Sequence, residues 1–208
     1  MNIAIFGGAF DPITKDHIDI INKVIDETLI DILYIELAHD SYKNMNTPYY
    51  HRAEMIHQIL NKFNCDTVFI GKHDGKMFRQ PYAIETLNWY SKRYSSEQLF
   101  YVIGSDELKV FDSWKDSEKM LQNYNWIVVS RGKDHVPHII HQSELLRKYK
   151  EKIQYINFGG FISSSYVRES VAIIDIDDPD IDEAMLYLID SSTWDYIKEN
   201  NLYEYKRS

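Results

Sequence analysis

The sequence contains a single cysteine, Cys65, among its 208 residues. One thiol cannot build a disulfide framework, and it cannot supply a thiolate zinc site. No apolar run approaches the roughly 20 residues that a helix needs to cross a bilayer, and the first residues lack a basic stretch followed by a cleavable apolar core. These absences predict a soluble chain in a reducing compartment, with the cytoplasm as its location and no membrane partner.

A surplus of basic residues is also missing. Lys and Arg number 23 against 32 Asp and Glu, which gives a formal net charge of -9. Proteins that bind nucleic acid normally present a basic face to the phosphates, so this charge argues against a nucleic-acid partner. An anionic ligand must be held by a local site, because the field of the whole protein does not attract it.

Short apolar runs alternate with helical patterns along most of the chain. Six runs, rich in β-branched and aromatic residues, predict strands buried on both faces of a parallel sheet: Ile3–Phe6, Ile32–Ala38, Thr67–Ile70, Leu99–Ile103, Trp126–Ser130 and Ile153–Phe158. The helices predicted between them are His17–Asp26, Arg52–Phe63, Ile84–Tyr94, Asp116–Gln122 and Gln142–Tyr149. The last strand is followed only by predicted helices, over Ser164–Ser170, Asp182–Leu188 and Thr193–Glu199.

This order of elements predicts an α/β fold with a doubly wound, Rossmann-like parallel sheet and a helical C-terminal segment. The length is typical of one domain. We therefore expect residues 1–208 to form a single domain, with residues 162–203 as its helical C-terminal part.

The end of the first predicted strand reads GGAFDPITKDH, residues 7–17. Ligands of doubly wound sheets bind at the carboxyl ends of the strands. Gly7 and Gly8 leave bare backbone there, and its N–H groups with the positive end of the next helix can bind an anion. Thr14 and His17 lie three residues apart on one helical face, so both can donate to one phosphate. A tight turn with Thr14 as helix cap and His17 as an ordinary half-buried residue explains the spacing equally well.

A serine-rich stretch, ISSSYVR, follows the last predicted strand and runs from Ile162 to Arg168. Its serines can cap a helix start and hold phosphate oxygens. Arg168, one turn further on, can bind phosphate through two N–H groups. The alternative is a plain serine-capped helix with a surface arginine.

Together the two stretches resemble the signatures of the nucleotidylyltransferase superfamily, G-G-x-F-D-P followed by [HT]-x-G-H and, far downstream, I-S-S-[ST]-x-x-R. Three further stretches are similar to the nicotinate/nicotinamide mononucleotide adenylyltransferases: PYAIETL (Pro81–Leu87), FYVIGSDELKVFDSW (Phe100–Trp114) and STWDYIKENNLY (Ser192–Tyr203). The resemblance covers the chain from Asn2 to about Tyr203.

The resemblance implies adenylyl transfer in NAD biosynthesis. The 5′-phosphate of a pyridine mononucleotide would attack the α-phosphorus of ATP, giving the dinucleotide and pyrophosphate, with Mg²⁺ bridging phosphate oxygens. The alternatives are a related transferase that uses another phosphate monoester, and a non-catalytic adenine-nucleotide sensor. The choice between nicotinate and nicotinamide stays open, and so does the oligomeric state, with a homo-oligomer as one alternative.

The resemblance also implies site residues, position by position. His17 would be the catalytic residue, supported by Thr14 and Arg168. Residues implied to bind ATP are Gly8, Ala9, Phe10, His17, Gly104, Asp106, Ile162, Ser163, Ser164 and Arg168. Residues implied to bind the mononucleotide are Ala9, Phe10, Lys43, Tyr82, Thr86, Trp114 and Arg131.

Three of these residues, Trp114, Lys43 and Arg131, have a structural alternative to the implied role. Asp106 would accept hydrogen bonds from ribose hydroxyls, and Trp114 would stack on the pyridine ring, unless it simply packs in the core. Lys43 and Arg131 would bind phosphates or a carboxylate, unless they are only solvated charges.

One position departs from the family's pattern, because Asp16 stands where the family usually has glycine. A carboxylate there would lie beside a polyanion. Residues adjacent on a helix do not share a face, so we expect Asp16 to point away from the phosphates. The alternatives are a ligand for Mg²⁺ and an impaired site.

Two other patterns do not predict a metal site. His135, His138 and His141 recur every third residue, but Pro137 predicts a loop there, and no carboxylate or cysteine completes a ligand set. The acidic run Asp175–Glu183 lacks the spacing and central glycine of a calcium loop. We expect it to be a solvated loop that leads into a helix.

Overall fold

The structure, a computed structural model, describes residues 1–41, 47–63, 66–173 and 179–203. Its centre is a parallel sheet whose strand order is β3-β2-β1-β4-β5-β6. The strands are β1 (Asn2–Gly8), β2 (Ile32–Leu37), β3 (Val68–Ile70), β4 (Gln98–Gly104), β5 (Asn125–Val129) and β6 (Ile153–Ile156). All six predicted strands are confirmed, and the predicted doubly wound α/β fold is confirmed with them.

The strand order reverses between β1 and β4. Ile3 on β1 pairs with Ile32 on one side and with Leu99 on the other, so the chain winds outward in both directions from β1. A crevice opens above the carboxyl ends of the strands at such a reversal. The topology therefore places the ligand site where β1 and β4 end.

Helices cover both faces of the sheet. Their bounds are α1 (Lys15–Glu27), α2 (Tyr49–Phe63), α3 (Ala83–Arg93), α4 (Ser105–Lys109), α5 (Ser117–Asn123), α6 (Val136–Gln142), α7 (Glu144–Lys148), α8 (Ser164–Ile173), α9 (Pro179–Leu188) and α10 (Ser191–Glu199). The predicted helices are confirmed with ends displaced by a few residues. The short helix α4, directly after β4, was not predicted.

The predicted loop around Pro137 is wrong, because these residues form α6. Proline is tolerated in the first turn of a helix, where its missing N–H would have no acceptor within the helix. Pro137 lies in that first turn, and the chain closes it with a bond from the N–H of His138 to the carbonyl of His135. Among the described residues no group of three or more His, Cys, Asp or Glu side chains could hold a metal ion.

The apolar residues of the strands form one core layer on each face of the sheet. Ala4 and Phe6 of β1 point into the layer under α1, α2 and α8 to α10, while Ile3 and Ile5 point into the layer under α3 and α5 to α7. Side chains alternate between the faces of a strand, so a strand buried on both faces must be apolar at every position. This explains the continuous apolar runs in the sequence.

The C-terminal helices belong to the first of these layers. Trp194 on α10 is fully buried in it, and α10 packs against α2. Beyond α10, the Tyr203 hydroxyl donates to Asp11 Oδ1 at 2.7 Å. The end of the described chain is therefore bonded to the turn after β1. No helix in the described ranges is long and apolar enough to cross a membrane.

Candidate active site

A cleft of about 830 Å³ opens above the carboxyl ends of β1 and β4. This volume suits a small-molecule ligand. The residues predicted for the site that line it are Gly8, Ala9, Phe10, His17, Tyr82, Gly104, Asp106, Trp114 and Arg131. The structure thus brings together residues from five separate stretches of the chain.

Glycines end both central strands because neighbouring side chains occupy the space that a Cβ would need. A Cβ on Gly7 would lie 2.5 Å from the Tyr101 hydroxyl oxygen, and one on Gly104 would lie 2.2 Å from Asp106 Oδ1. Real Cβ atoms do not approach other atoms so closely, so a side chain on Gly7 would displace the buried Tyr101 ring, whereas the half-exposed Asp106 carboxylate can move away from one on Gly104. The bare backbone predicted at Gly7 is therefore also a packing requirement.

His17 faces the cleft from the first turn of α1, and its ring is fixed by Thr14. The Thr14 N–H donates to His17 Nδ1 at 3.1 Å, and the Thr14 hydroxyl lies 2.7 Å from the same nitrogen. Because Nδ1 accepts from a backbone N–H, the proton of the neutral ring is on Nε2. Burial, followed by the charge of Arg131, lowers the pKa of His17 to about 3. The imidazole is therefore neutral near pH 7 and keeps an Nε2–H donor.

Thr14 itself does not line the cleft. Its side chain is fully buried, and its hydroxyl accepts from the His17 N–H at 3.4 Å as the cap of α1. The prediction that Thr14 and His17 both project toward a phosphate is therefore wrong for Thr14. The capping alternative is the one that the structure shows.

Phe10 supports the same imidazole from the turn after β1. Its backbone has a φ of 47°, the left-handed region that residues other than glycine rarely occupy. Its buried ring packs 5.0 Å from the His17 ring and edge-on to Phe6. Strained residues of this kind cluster at functional sites, and here the strain places an aromatic wall behind His17.

Asp106 and Arg131 lie on the β4 side of the cleft. Arg131 Nη1 is 3.6 Å from Asp106 Oδ2, and both side chains are about half exposed, at 48% and 55%. An exposed pair at this distance is weak, so both groups are available to a ligand. The Arg131 backbone is fixed by a 2.9 Å bond from its N–H to the hydroxyl of Ser105. Lys43, the other predicted cation, lies outside the described residues.

Tyr82 and Trp114 also line the cleft. The Trp114 ring is half-buried and packs against Phe111 at 5.3 Å and Trp126 at 6.4 Å. Trp114 therefore lines the cleft, where it was predicted to lie, and it also packs in the core, which was the alternative. Tyr82, directly before α3, is 52% exposed.

Two buried carboxylates that the sequence analysis did not single out also line the cleft. Glu36 accepts hydrogen bonds from the backbone N–H groups of His73 and Asp74, at 2.9 and 2.8 Å, and from the Tyr90 hydroxyl at 2.6 Å. Asp74 in turn accepts from Thr86 at 2.7 Å, and burial raises the pKa of both carboxyls. The only signal for this network was a single glutamate in an apolar strand.

This network changes the position expected for Thr86. The Thr86 side chain is fully buried and its hydroxyl donates to Asp74, so it does not line the cleft. The structure therefore places Thr86 beside Asp74 and not at the cleft surface.

Arg52 was also missed, although it is fully buried. Its guanidinium donates to the carbonyls of Thr47, Ala9 and Ala38, at 3.1, 2.7 and 2.8 Å, and to Asp40 Oδ1 at 2.7 Å. These acceptors lie after β1 and after β2. Arg52 therefore ties together two of the loops above the sheet. An arginine on an amphipathic helix gives no sequence signal for such a role.

The second motif lies against the first. The Ser164 hydroxyl donates to the Pro12 carbonyl at 2.8 Å, and Arg168 donates to the Asp11 carbonyl. The two signatures are thus in direct contact, although Asp11 and Arg168 are 157 positions apart in the chain. The motif residues that do not line the main cleft are Ile162, Ser163, Ser164 and Arg168.

Asp16 connects the same two motifs. Its Oδ2 accepts the Ile162 N–H at 2.7 Å, and a Cβ on Gly160 would lie 2.3 Å from that oxygen. Asp16 does not line the main cleft, and its carboxylate bonds to the second motif, a contact that the sequence analysis did not predict. Burial is the main cause that raises the pKa of its carboxyl. Asp16 therefore fastens the loop of the second motif to α1.

The cytidylyltransferase-like family model matches residues 5–170. The probable nicotinate-nucleotide adenylyltransferase of Acholeplasma laidlawii is 30% identical, over 97% of this chain and 97% of the relative. The probable nicotinate-nucleotide adenylyltransferase of Methylacidiphilum infernorum is 28% identical over 97% of this chain and 91% of the relative.

A solved structure of the Plasmodium falciparum nicotinic acid mononucleotide adenylyltransferase, complexed with NaAD, superposes with a TM-score of 0.77 at 25% identity and covers 97% of each chain. Sequence and fold agree over nearly the whole length of the relatives. The chain therefore belongs to the cytidylyltransferase-like family and, within it, to the nicotinate-nucleotide adenylyltransferases.

Proposed function

We propose that this chain transfers the adenylyl group of ATP to a pyridine mononucleotide, releasing pyrophosphate and forming the dinucleotide of NAD biosynthesis. The observation that carries the proposal is the neutral, oriented imidazole of His17 beside bare backbone at the switch point of the sheet. The relatives' names, and the NaAD bound by the superposed enzyme, support it.

The reaction needs positioning and charge stabilisation more than acid–base chemistry. The phosphate oxygen of the mononucleotide is already an anion, so it attacks the α-phosphorus of ATP in line while the bond to pyrophosphate breaks. His17 Nε2–H donates to an oxygen of the transferring group, on which charge develops. The neutral ring can fill this role because it keeps the Nε2–H donor. Thr14 fixes the orientation of the ring before the substrates arrive.

The proposed roles divide the cleft into two ends. Asp106 accepts from the ribose of ATP, and Trp114 stacks on the pyridine ring. Thr14 acts as a positioning residue through His17. Arg168 uses part of its guanidinium to hold the first motif, and its other N–H groups bind phosphate. The remaining proposed contacts are Gly8, Ala9, Phe10, Gly104, Ile162, Ser163 and Ser164 for ATP, and Ala9, Phe10, Lys43, Tyr82 and Arg131 for the mononucleotide. Thr86 would act only through Asp74, to which its hydroxyl donates.

We propose Mg²⁺ as the divalent metal that accompanies ATP. Mg²⁺ keeps several waters and is usually held by substrate phosphates with one or two carboxylates. The described residues hold no group of three or more potential metal ligands, and a metal carried on the triphosphate does not require one. When bound, the ion would neutralise charge on the phosphates.

We further propose that residues 1–208 form one domain with residues 162–203 as its helical part. The contacts of α8 and α10 with the same core layer as β1 support this division. A cytoplasmic location is proposed from the substrate, since ATP is an intracellular nucleotide.

The test is a coupled assay of the purified chain with ATP and Mg²⁺, and with nicotinate or nicotinamide mononucleotide as acceptor. We expect pyrophosphate and the dinucleotide in equal amounts. Binding of ATP without pyrophosphate release would instead identify a sensor. Pyrophosphate release with another phosphate monoester only, in a panel of acceptors, would identify a related transferase.

A further inference from the structure

We infer that Ser105 is a positioning residue for the reaction, because its buried hydroxyl holds the turn that carries Arg131 into the cleft. The inference rests on the proposed function, since it concerns how one cation of the same cleft is placed. Ser105 itself does not line the cleft. It would therefore act on the substrates only through Arg131.

Arg131 lies close to groups that follow both central strands. Its Nε is 3.3 Å from the place that a Cβ on Gly104 would take, and its Nη1 is 3.6 Å from Asp106 Oδ2. After burial, the charge of Arg131 is the second cause that lowers the pKa of His17. The position of this one cation therefore affects the turn after β4 and the first helix after β1 alike.

The Arg131 side chain does not fix its own position. About half of it is exposed, and its pair with Asp106 is long, so the pair contributes little. The guanidinium has no hydrogen-bond acceptor among the described residues, whereas the backbone N–H of Arg131 has one. The placement of the guanidinium therefore depends on the backbone of the turn that begins at Arg131.

The turn of residues 131–134 is held at both ends by Ser105. The Arg131 N–H donates to Ser105 Oγ at 2.9 Å, and Ser105 Oγ donates to Asp134 Oδ2 at 2.8 Å. The Asp134 N–H closes the turn by donating to the Arg131 carbonyl at 3.0 Å. Gly132 has a φ of 56°, which glycine adopts without strain. One hydroxyl thus connects the first and last residues of the turn.

Ser105 directly follows the last paired residue of β4. The register between β4 and β5 ends with Gly104 opposite Val129, and beyond it the Arg131 N–H bonds to a side chain instead of a backbone carbonyl. Ser105 is fully buried, and its hydroxyl uses its one donor and an acceptor site in these two bonds. Alanine would fit the same space but would supply neither bond.

The test is a double-mutant cycle, measured as kcat/KM for the mononucleotide that the unmodified chain uses better. We expect Arg131→Ala to lower kcat/KM, and Ser105→Ala to lower it about tenfold, because a small misplacement of a binding group can cost this much or more. In the Arg131→Ala background, Ser105→Ala should change kcat/KM by less than about twofold, because the two residues act as one unit. A serine with only a structural role would cause the same loss in both backgrounds. That result, or an unchanged kcat/KM in either single variant, would overturn the inference.

Asp134 tests the same contact from its other side, without a change in a buried position. Asp134→Ala removes the acceptor of the Ser105 hydroxyl and should lower kcat/KM several-fold. Asp134→Asn keeps an oxygen acceptor and should stay within about twofold of the unmodified chain. Both variants lose the ion pair with Lys109, which is half exposed and so contributes little. Equal losses in the two variants would assign the effect to that ion pair and overturn the inference.

The matched control is Ser143→Ala. The Ser143 hydroxyl also donates to an aspartate, Asp112, at 2.8 Å and accepts a backbone N–H, that of Leu146, at 3.0 Å. It caps α7 and does not line the cleft, so its loss should leave kcat/KM unchanged. A loss as large as that of Ser105→Ala would overturn the inference while leaving the proposed function standing. An unmodified chain that uses neither mononucleotide would overturn the proposed function itself, and the inference with it.

Discussion

At the scale of single residues, His17 is the donor that we propose faces the reacting phosphates. We expect His17→Ala to lower kcat by about 100-fold or more, the cost of one lost transition-state donor, with a much smaller effect on ATP affinity. Steady-state kinetics and calorimetric ATP binding check both parts. A variant with unchanged kcat would remove His17 from the mechanism.

The neutral state of His17 has a consequence for stability. Its pKa is about 3 in the fold and about 6.5 in an unfolded chain, so the unfolded state binds more protons between these values. The contribution of His17 to stability is therefore complete above about pH 6.5 and is lost as the pH falls toward 3, by at most about 1.4 kcal/mol per pH unit. Denaturant unfolding at pH 7 and pH 5 should show a smaller loss in His17→Asn than in the unmodified chain. Equal losses in the two would contradict a neutral His17 ring in the folded protein.

Asp16 gives a third prediction at this scale. Its bond to the Ile162 N–H holds the loop of the second motif. We expect Asp16→Ala to speed hydrogen exchange at the Ile162 amide and to raise the KM for ATP several-fold. The reason is that the two motifs of the proposed ATP site are then no longer held at a fixed distance from each other.

Asp16→Asn is the matched variant, since its amide oxygen can still accept that hydrogen bond. It should keep both properties near those of the unmodified chain. Strong loss in Asp16→Asn that high Mg²⁺ restores would show that the carboxylate acts on the metal and not on the loop.

At the scale of elements, Arg52 connects α2 to the loops that follow β1 and β2. Arg52→Met keeps the apolar stem but leaves its carbonyl acceptors and Asp40 without the guanidinium. We expect a loss of at least about 1–3 kcal/mol in the free energy of unfolding, the cost of leaving a buried acceptor without its donor; Asp40 is half exposed, so water can solvate its carboxylate. The control is Lys23→Met, which removes an exposed pair with Glu27 on α1 and should cost less than about 1 kcal/mol. Equal effects in urea unfolding would argue against Arg52 as a connector.

At the scale of the whole molecule, the last described residue is hydrogen-bonded to the first motif. The Tyr203 hydroxyl donates to Asp11 Oδ1 across 192 positions of the chain, and Asp11 is 2% exposed. Tyr203→Phe leaves that buried carboxylate without this donor, which should cost about 1–3 kcal/mol in unfolding free energy. Because Asp11 lies in the turn after β1, we also expect a higher KM for ATP. Tyr187→Phe, on an exposed ring of α9, is the control and should change neither quantity.

The sequence by itself determined the architecture of this protein. Apolar runs such as Leu99–Ile103 indicated strands buried on both faces, and their alternation with helices indicated a doubly wound sheet. The turn at Gly7 and the serines of the second motif marked the strand ends where a ligand binds. These features are local, because they depend on residue periodicity and backbone conformation, and so they are readable along the chain.

Tertiary structure alone decided what individual polar residues do. Spacing placed Thr14 beside His17 on a helix face, but packing turned the Thr14 hydroxyl toward the imidazole and away from the cleft. Asp16 found the Ile162 N–H, and Glu36 found donors from beyond β3. Some of these bonds join groups that are distant in sequence. In the others, a polar group has more than one local partner available. Burial makes an unsatisfied polar group costly, so the fold selects the partner, and no pattern along the chain records that choice.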